Sequence, residues 1–179
     1  MRETDELPAI DKSCFQEGDL ALLLDRKGRR YMVTLAGDQV FHSHLGRINH
    51  SQLIGHTVGG WYRTDRGHVV LAVRPTLGDF VREMPRGPQI IYPKDLGNIV
   101  SLADIFPGAT VVEGGLGSGA LTAALLRAVG AGGRVITYEV NESVLPRALQ
   151  NLDKVIADRS NLTVTVGDIY EGIAERGVD

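Results

Sequence analysis

The chain has 179 residues, 43% of them apolar, with one cysteine and a formal net charge of −3. That length and apolar share are enough for one large or two small buried cores, which excludes a disordered chain. No apolar run approaches the roughly eighteen residues of a membrane span, the N-terminus (Arg2, Glu3, Asp5, Glu6) is acidic rather than signal-like, and Cys14 stands alone; neither a membrane partner, secretion nor a disulfide framework is expected, and a reducing cytoplasm is.

From Gly18 to Arg74 the sequence reads as short strands punctuated by glycine: residues 20–24, a turn at 26–28, then 30–35, 39–42 and 69–73. Short, regular spacing of this kind predicts a small β-barrel or open sheet. Charge is unevenly spread, because residues 12–94 carry twelve Lys/Arg against seven Asp/Glu while residues 95–179 carry six against eleven. The cluster Arg26, Lys27, Arg29 and Arg30, with Arg47, Arg63, Arg66, Arg82 and Arg86, can meet phosphates, although a charge run is more often a solvated face. His42 and His44, two apart, would share a strand face and could chelate a metal. With no cysteine or carboxylate partner nearby, surface or packing roles are expected and no metal site is assigned. Trp61 and Tyr62 could stack on bases, against the simpler role of barrel packing.

The spacing of Leu77, Phe80, Val81 and Met84 predicts a helix over 76–84 that links two modules. The domains expected are thus a β-module at 1–75, a linker helix and loop at 76–92, and an α/β domain at 93–179. Within the last, helices near 93–100, from Ala120 and over 142–157 alternate with strands at 110–113, 134–139 and 162–166. Such alternation implies a parallel, doubly wound sheet with ligands at the strand C-termini, where Glu113, Glu139 and Asp168 all stand.

The stretch from Val111 to Thr122 is an apolar strand that enters a glycine-rich turn and opens into a helix. Without Cβ atoms at Gly115, Gly117 and Gly119, the backbone can turn with positive φ and approach a ligand, and the helix N-terminus offers unpaired N–H groups. Glu139, about twenty residues on, ends the next strand, where an acid can accept from ribose hydroxyls. Gly115, Gly117 and Ala120 also satisfy the dinucleotide pattern G-x-G-x-x-G/A, so glycine spacing leaves NAD(P) open, as it does a structural turn beside solvated acids. Three features favour S-adenosylmethionine. Glu113 would repel a pyrophosphate but can meet the ammonium of a methionine moiety; Gly119 adds a third close approach; and Asp168, after Gly167, can accept from an adenine amino group.

Arg86-Gly87-Pro88-Gln89-Ile90-Ile91-Tyr92-Pro93-Lys94-Asp95, Asp104-Ile105-Phe106-Pro107-Gly108-Ala109 and the stretch from Glu113 to Thr122 together resemble the tRNA (adenine-N1)-methyltransferase family that modifies the T-loop adenosine, in a version similar to the actinobacterial branch. The likeness extends into the small module through Phe41-His42-Ser43-His44-Leu45-Gly46-Arg47-Ile48 and Ile54-Gly55. It implies a class I S-adenosylmethionine-dependent methyltransferase fold, Rossmann-like, with an N-terminal β-module, usually assembled as a homotetramer that grips tRNA. It also implies that Ser118, Gly119, Ala120 and Leu121 wrap the methionine end, Glu139 holds the ribose, Asp168 the adenine, Gln89 and Tyr92 the cofactor entrance, and Val144 a further cofactor contact. Because N1 lies on the Watson–Crick edge, the adenosine has to leave its tertiary pairing before reaction.

Two positions depart from the family pattern. Gly114 stands where alanine or another small residue is usual. The family also places its catalytic aspartate in a D-x-x-x-P-W-like motif ending the fourth strand, and residues 175–179 stop as that strand should begin. The catalytic residue is therefore expected beyond Asp179, the sheet is expected to be incomplete, and this chain alone is expected to be inactive, with strand 110–113 left as an apolar edge. The competing functions are a non-catalytic RNA-binding subunit that keeps a cofactor fold, a protein methyltransferase of the isoaspartyl type, and an NAD-dependent oxidoreductase.

Overall fold

The computed structural model describes residues 13–85, 87 and 90–179, and divides into two compact units, with the boundary between Pro75 and Thr76. Gln89 and Arg86 lie outside the described residues.

In the first unit, strands β1 (Leu20–Asp25), β2 (Arg30–Thr34), β5 (Gly60–Arg63) and β6 (Val69–Val73) form an antiparallel sheet ordered β2-β1-β6-β5. A separate hairpin pairs β3 (Val40–Ser43) with β4 (Gly46–Asn49), so the module is an open sheet plus a ribbon rather than a closed barrel. Strand β6 alternates strictly while β1 is buried on both faces at residues 21–23: Ala21, Leu23, Val70 and Ala72 point into one core with Phe15, Leu35, Ile48 and Leu53, all 0–1% exposed. Burying each of the larger side chains contributes roughly 1.5–3 kcal/mol. His44 lies in the turn after β3, where its ring meets Arg29 and Tyr31, so the two histidines do not share a strand face.

The second unit opens with α1 (Leu77–Glu83), started by a reciprocal cap: the Asp79 amide donates to Thr76 Oγ1 at 3.1 Å, and the Thr76 amide to Asp79 Oδ2 at 3.0 Å. Helix α2 (Pro93–Leu102) carries proline in its first turn, where a missing N–H costs nothing. Strands β7 (Thr110–Gly114), β8 (Arg134–Glu139) and β9 (Leu162–Val166) make a parallel sheet in the order β7-β8-β9. This is the α/β arrangement expected from the alternating pattern.

Helix α3 (Ala120–Val129) connects β7 to β8 and is buried nearly all round, with Ala123, Leu125, Leu126 and Val129 in the core alongside Val111, Val135 and Leu152. The helix expected over 142–157 is shorter. A 3-10 turn at Glu142–Val144 precedes α4 (Leu145–Asp153), because Pro146 lacks the N–H that a continuous helix would need and its ring would strike the carbonyl four residues back. Past β9 the chain returns across the sheet: the Tyr138 hydroxyl donates to Glu175 at 2.6 Å, the Thr110 amide donates to Asp179 Oδ2 at 2.9 Å, and the Asp179 amide donates to the Thr110 carbonyl at 3.0 Å.

Candidate cofactor-binding site

The glycine turn between β7 and α3 takes the backbone that only glycine adopts without strain: φ is +91° at Gly115, +54° at Gly117 and +82° at Gly119. A Cβ at Gly115 or Gly117 would project into open space, so these positions leave the backbone bare to whatever lies above the turn. Gly119 is the N-cap of α3, and the Ala123 amide is the first to bond back, to Gly119 at 3.0 Å. The amides of Ala120, Leu121 and Thr122 are therefore the unpaired first-turn donors. The Leu121 side chain packs against the core, so only its backbone is free for a ligand.

Register places two of the three acids together. Parallel pairing matches Glu113 with Thr137, two residues before Glu139, and the Gly167 amide donates to the Glu139 carbonyl at 3.1 Å, so Asp168 leaves the sheet directly beside Glu139. The Glu139 carboxylate is clamped by the Gly117 amide at 3.0 Å on Oε2 and the Asn141 amide at 2.9 Å on Oε1. Each oxygen keeps a further lone pair. Asp168 accepts from the Tyr170 amide at 2.9 Å and starts a 3-10 turn, Ile169–Glu171.

Glu113 is 5% exposed and accepts from the Thr122 hydroxyl at 2.7 Å. Burial pushes its carboxyl up to about 7, against the pull of that hydroxyl, and the neighbouring Glu139 charge adds to the rise.

Beside the turn is a cavity of about 720 Å³ lined by Gly117, Ser118, Asn141, Ser143, Val144 and Arg147 among others. The Ser118 hydroxyl is buried here, with no hydrogen-bond partner among the described residues. Val144 lines the same space; Tyr92, at the N-cap of α2, is 41% exposed and is not among its walls.

Sequence reasoning missed Asn151. Buried on α4, its amide donates to the Ser118 carbonyl at 3.1 Å and the Pro85 carbonyl at 3.2 Å, which fastens the glycine turn to α4. The available signal was an asparagine on the same helical face as Ala148 and Leu152. Thr122 was quoted in the turn without a role, and its bond to Glu113 supplies one. Gly114 has a tertiary reason: a Cβ there would meet the Ile169 side chain at 3.1 Å.

These residues suit a ligand with ribose hydroxyls, an amino group and positive charge. Three acids stand at the strand ends, two of them side by side, and open space lies over bare glycine backbone. The Glu139 carboxylate would instead repel a pyrophosphate.

A family model described as tRNA methyltransferase complex GCD14 subunit matches residues 68–179, and one described as TrmI-like N-terminal matches residues 14–60. The tRNA (adenine(58)-N(1))-methyltransferase TrmI of Thermus thermophilus is 43% identical over 131 residues, 73% of this chain and 51% of that protein. The tRNA (adenine(57)-N(1)/adenine(58)-N(1))-methyltransferase TrmI of Methanocaldococcus jannaschii is 32% identical, over 88% of this chain and 63% of its own length. The chain thus spans about half to two-thirds of these curated relatives. Among solved structures, a SAM-dependent O-methyltransferase from Thermotoga maritima superposes with a TM-score of 0.86 at 36% identity, covering 93% of this chain and 62% of that one. The tRNA (m1A58) methyltransferase TrmI from Aquifex aeolicus gives 0.77 at 28% identity, over 92% and 63%. The fold is therefore that of the S-adenosylmethionine-dependent methyltransferases, preceded by a small β-module.

Proposed function

The chain belongs to the tRNA (adenine-N1)-methyltransferase family, and from that premise we propose that its second unit binds S-adenosylmethionine for methylation of N1 of an adenosine in the tRNA T-loop. The observation that carries the reading is the clamped Glu139 carboxylate, whose two oxygens are fixed by the Gly117 and Asn141 amides with lone pairs left for a pair of ribose hydroxyls.

S-adenosylmethionine, when bound, supplies an electrophilic methyl group. The chain's own residues hold and orient. Glu139 takes the ribose, and Asp168 Oδ2, which has no hydrogen-bond partner among the described residues, takes the adenine amino group. The bare backbone from Gly115 to Gly119, the Ser118 hydroxyl and the first-turn amides of Ala120 and Leu121 surround the methionine end. Glu113, held by Thr122, stands at the end of the strand that leads into this turn. Val144 closes the side of the cavity, and the family pattern puts Tyr92 at the entrance. None of these groups is assigned proton transfer. Their contribution is positioning, which in a methyl transfer is a large part of catalysis. A homo-oligomer, a tetramer by the family pattern, and a cytoplasmic setting complete the proposal; among the described residues no helix is long and apolar enough to cross a membrane.

The test is a calorimetric titration of the 179-residue chain with S-adenosylmethionine and, separately, NAD, followed by incubation with unmodified tRNA and mass analysis of its nucleosides. Saturable binding of S-adenosylmethionine alone supports the site, and tRNA carrying 1-methyladenosine supports the activity. Binding of NAD in its place would overturn the reading.

A further inference from the structure

The first unit contains a second cavity, of about 530 Å³, built where the tips of all three of its hairpins meet. The β1–β2 turn contributes Arg26, Lys27 and Arg29; the β3–β4 turn contributes His44; the β5–β6 hairpin contributes Arg63 and His68. Three of the four permanent cations come from the β1–β2 turn, and the fold brings Arg63 and the two histidines to them from the other tips.

The cations are arranged for a ligand rather than for one another. Asp25 is the acid in the wall: its Oδ1 accepts from the Lys27 amide at 2.8 Å and the Arg29 amide at 2.9 Å, and its buried Oδ2, which has no hydrogen-bond partner among the described residues, has Arg29 Nε at 3.6 Å. Arg29 reaches across to the His44 ring, which joins two of the tips. Arg63 spends one N–H on the Gly67 carbonyl at 2.8 Å, which fixes its fork and leaves other donors open. Among the described residues the side chains of Arg26 and Lys27 have no hydrogen-bond or ion-pair partner. Four permanent cations thus face one acid already bound by backbone amides.

A stacking platform adjoins this charge. Trp61, the chain's single tryptophan, is 61% exposed and shares the outer face of edge strand β5 with Arg63, two residues away. Along a strand that spacing is about 7 Å. A cation and an aromatic face side by side suit a polymer that alternates phosphate and base better than a free phosphate.

We propose that this hairpin-tip cavity is a binding site for RNA phosphodiesters, in which Arg26, Lys27, Arg29 and Arg63 hold backbone phosphates and Trp61 stacks on a neighbouring base. That the polymer is RNA rests on the family reading above.

Quenching of Trp61 fluorescence by an unlabelled tRNA T-arm hairpin, titrated into the 179-residue chain at several salt concentrations, tests the site. The wild-type signal is expected to quench, with ATP at equal phosphate concentration failing to compete. R26A/K27A, both in an exposed turn, is expected to weaken binding roughly tenfold and to flatten the dependence of log affinity on log salt by about one for each cation removed. K154A, an exposed cation of the second unit, is expected to change neither. W61A, followed by anisotropy of a labelled hairpin, is expected to lose affinity with the salt slope unchanged. Equal losses in R26A/K27A and K154A, an unchanged R26A/K27A, or no RNA binding would overturn the proposal, and displacement by ATP would reassign the cavity to free nucleotides. Titration of the same samples with S-adenosylmethionine is independent of this cavity, so a failure of the cofactor reading is seen separately.

Discussion

Gly117 and Glu139, 22 residues apart, are joined by a hydrogen bond of 3.0 Å from the glycine amide to carboxylate Oε2. The acid that the sequence marks for ribose also braces the turn that approaches the rest of the ligand. Glu139→Gln keeps the shape but puts an NH2 group opposite one of the two amide donors that now meet an oxygen. Loss of one charge-assisted bond is expected to weaken S-adenosylmethionine binding roughly 10- to 100-fold, measured by calorimetry. Unchanged affinity would remove Glu139 from the site.

Glu113 couples stability to pH. Its folded value, about 7, lies above its unfolded 4.5, so the folded chain binds the extra proton between them. The stabilisation is fully present below pH 4.5 and is lost as pH rises through 7, a difference of about 3 kcal/mol. Glu113→Gln is therefore expected to raise the melting temperature relative to wild type at pH 8 and to change it little at pH 4.5. Melting curves for both proteins across that range check the sign; parallel curves would show that Glu113 titrates normally.

Two glycines of one turn are expected to respond differently to alanine. At Gly119 the new Cβ combines positive φ with contacts of 3.2 Å to Leu152 and 3.3 Å to the Ala148 carbonyl, a loss of about 2 kcal/mol or more. At Gly115 the space is open, so only the backbone strain of about 1 kcal/mol remains, while the methyl group obstructs the ligand. Denaturant unfolding paired with cofactor titration separates these outcomes: mainly stability for Gly119→Ala, mainly affinity for Gly115→Ala.

Asn151→Leu leaves the Ser118 and Pro85 carbonyls without their shared donor. A cost of roughly 1–3 kcal/mol is expected from the lost bonds and the buried carbonyls. Amide exchange is expected to quicken at Gly117 and Ser118 ahead of the sheet, because the turn loses its tie to α4. Uniform quickening would instead mean that Asn151 acts on global stability alone.

Strand β7 pairs with β8 on one side, and among the described residues its other edge is hydrogen-bonded through Thr110 to Asp179 alone. An apolar edge of this kind templates association. The 179-residue chain is expected to self-associate by light scattering, and Thr110→Lys to reduce it. A monomer that melts cooperatively would contradict the expectation.

The site was legible where chemistry sits at strand ends. Glu113, Glu139 and Asp168 each follow an apolar run, and the glycines between β7 and α3 need no tertiary knowledge to suggest a tight turn. What escaped depended on partners distant in sequence. Asn151 reads as a polar blemish on a helix until Ser118 stands opposite it. Strands β4 and β5 are four residues each, too short for alternation to stand out. Pro146 was readable, since a proline five residues into a supposed helix predicts the later start at Leu145. The convergence of Arg29, His44 and Arg63 at one cavity was beyond any local pattern.

Gly114 and Ile169 occupy a single volume between them: the missing methyl group on one is filled by the branched side chain of the other. Their identities are in effect one choice made in two places. Relatives with alanine at the first position should carry a slimmer or slightly displaced side chain at the second, because a methyl group at Gly114 requires Ile169 to give by a few tenths of an ångström. The turn after Asp168 thereby constrains the end of β7, so substitutions at the adenine side of the pocket and at the start of the glycine turn are not free to drift apart.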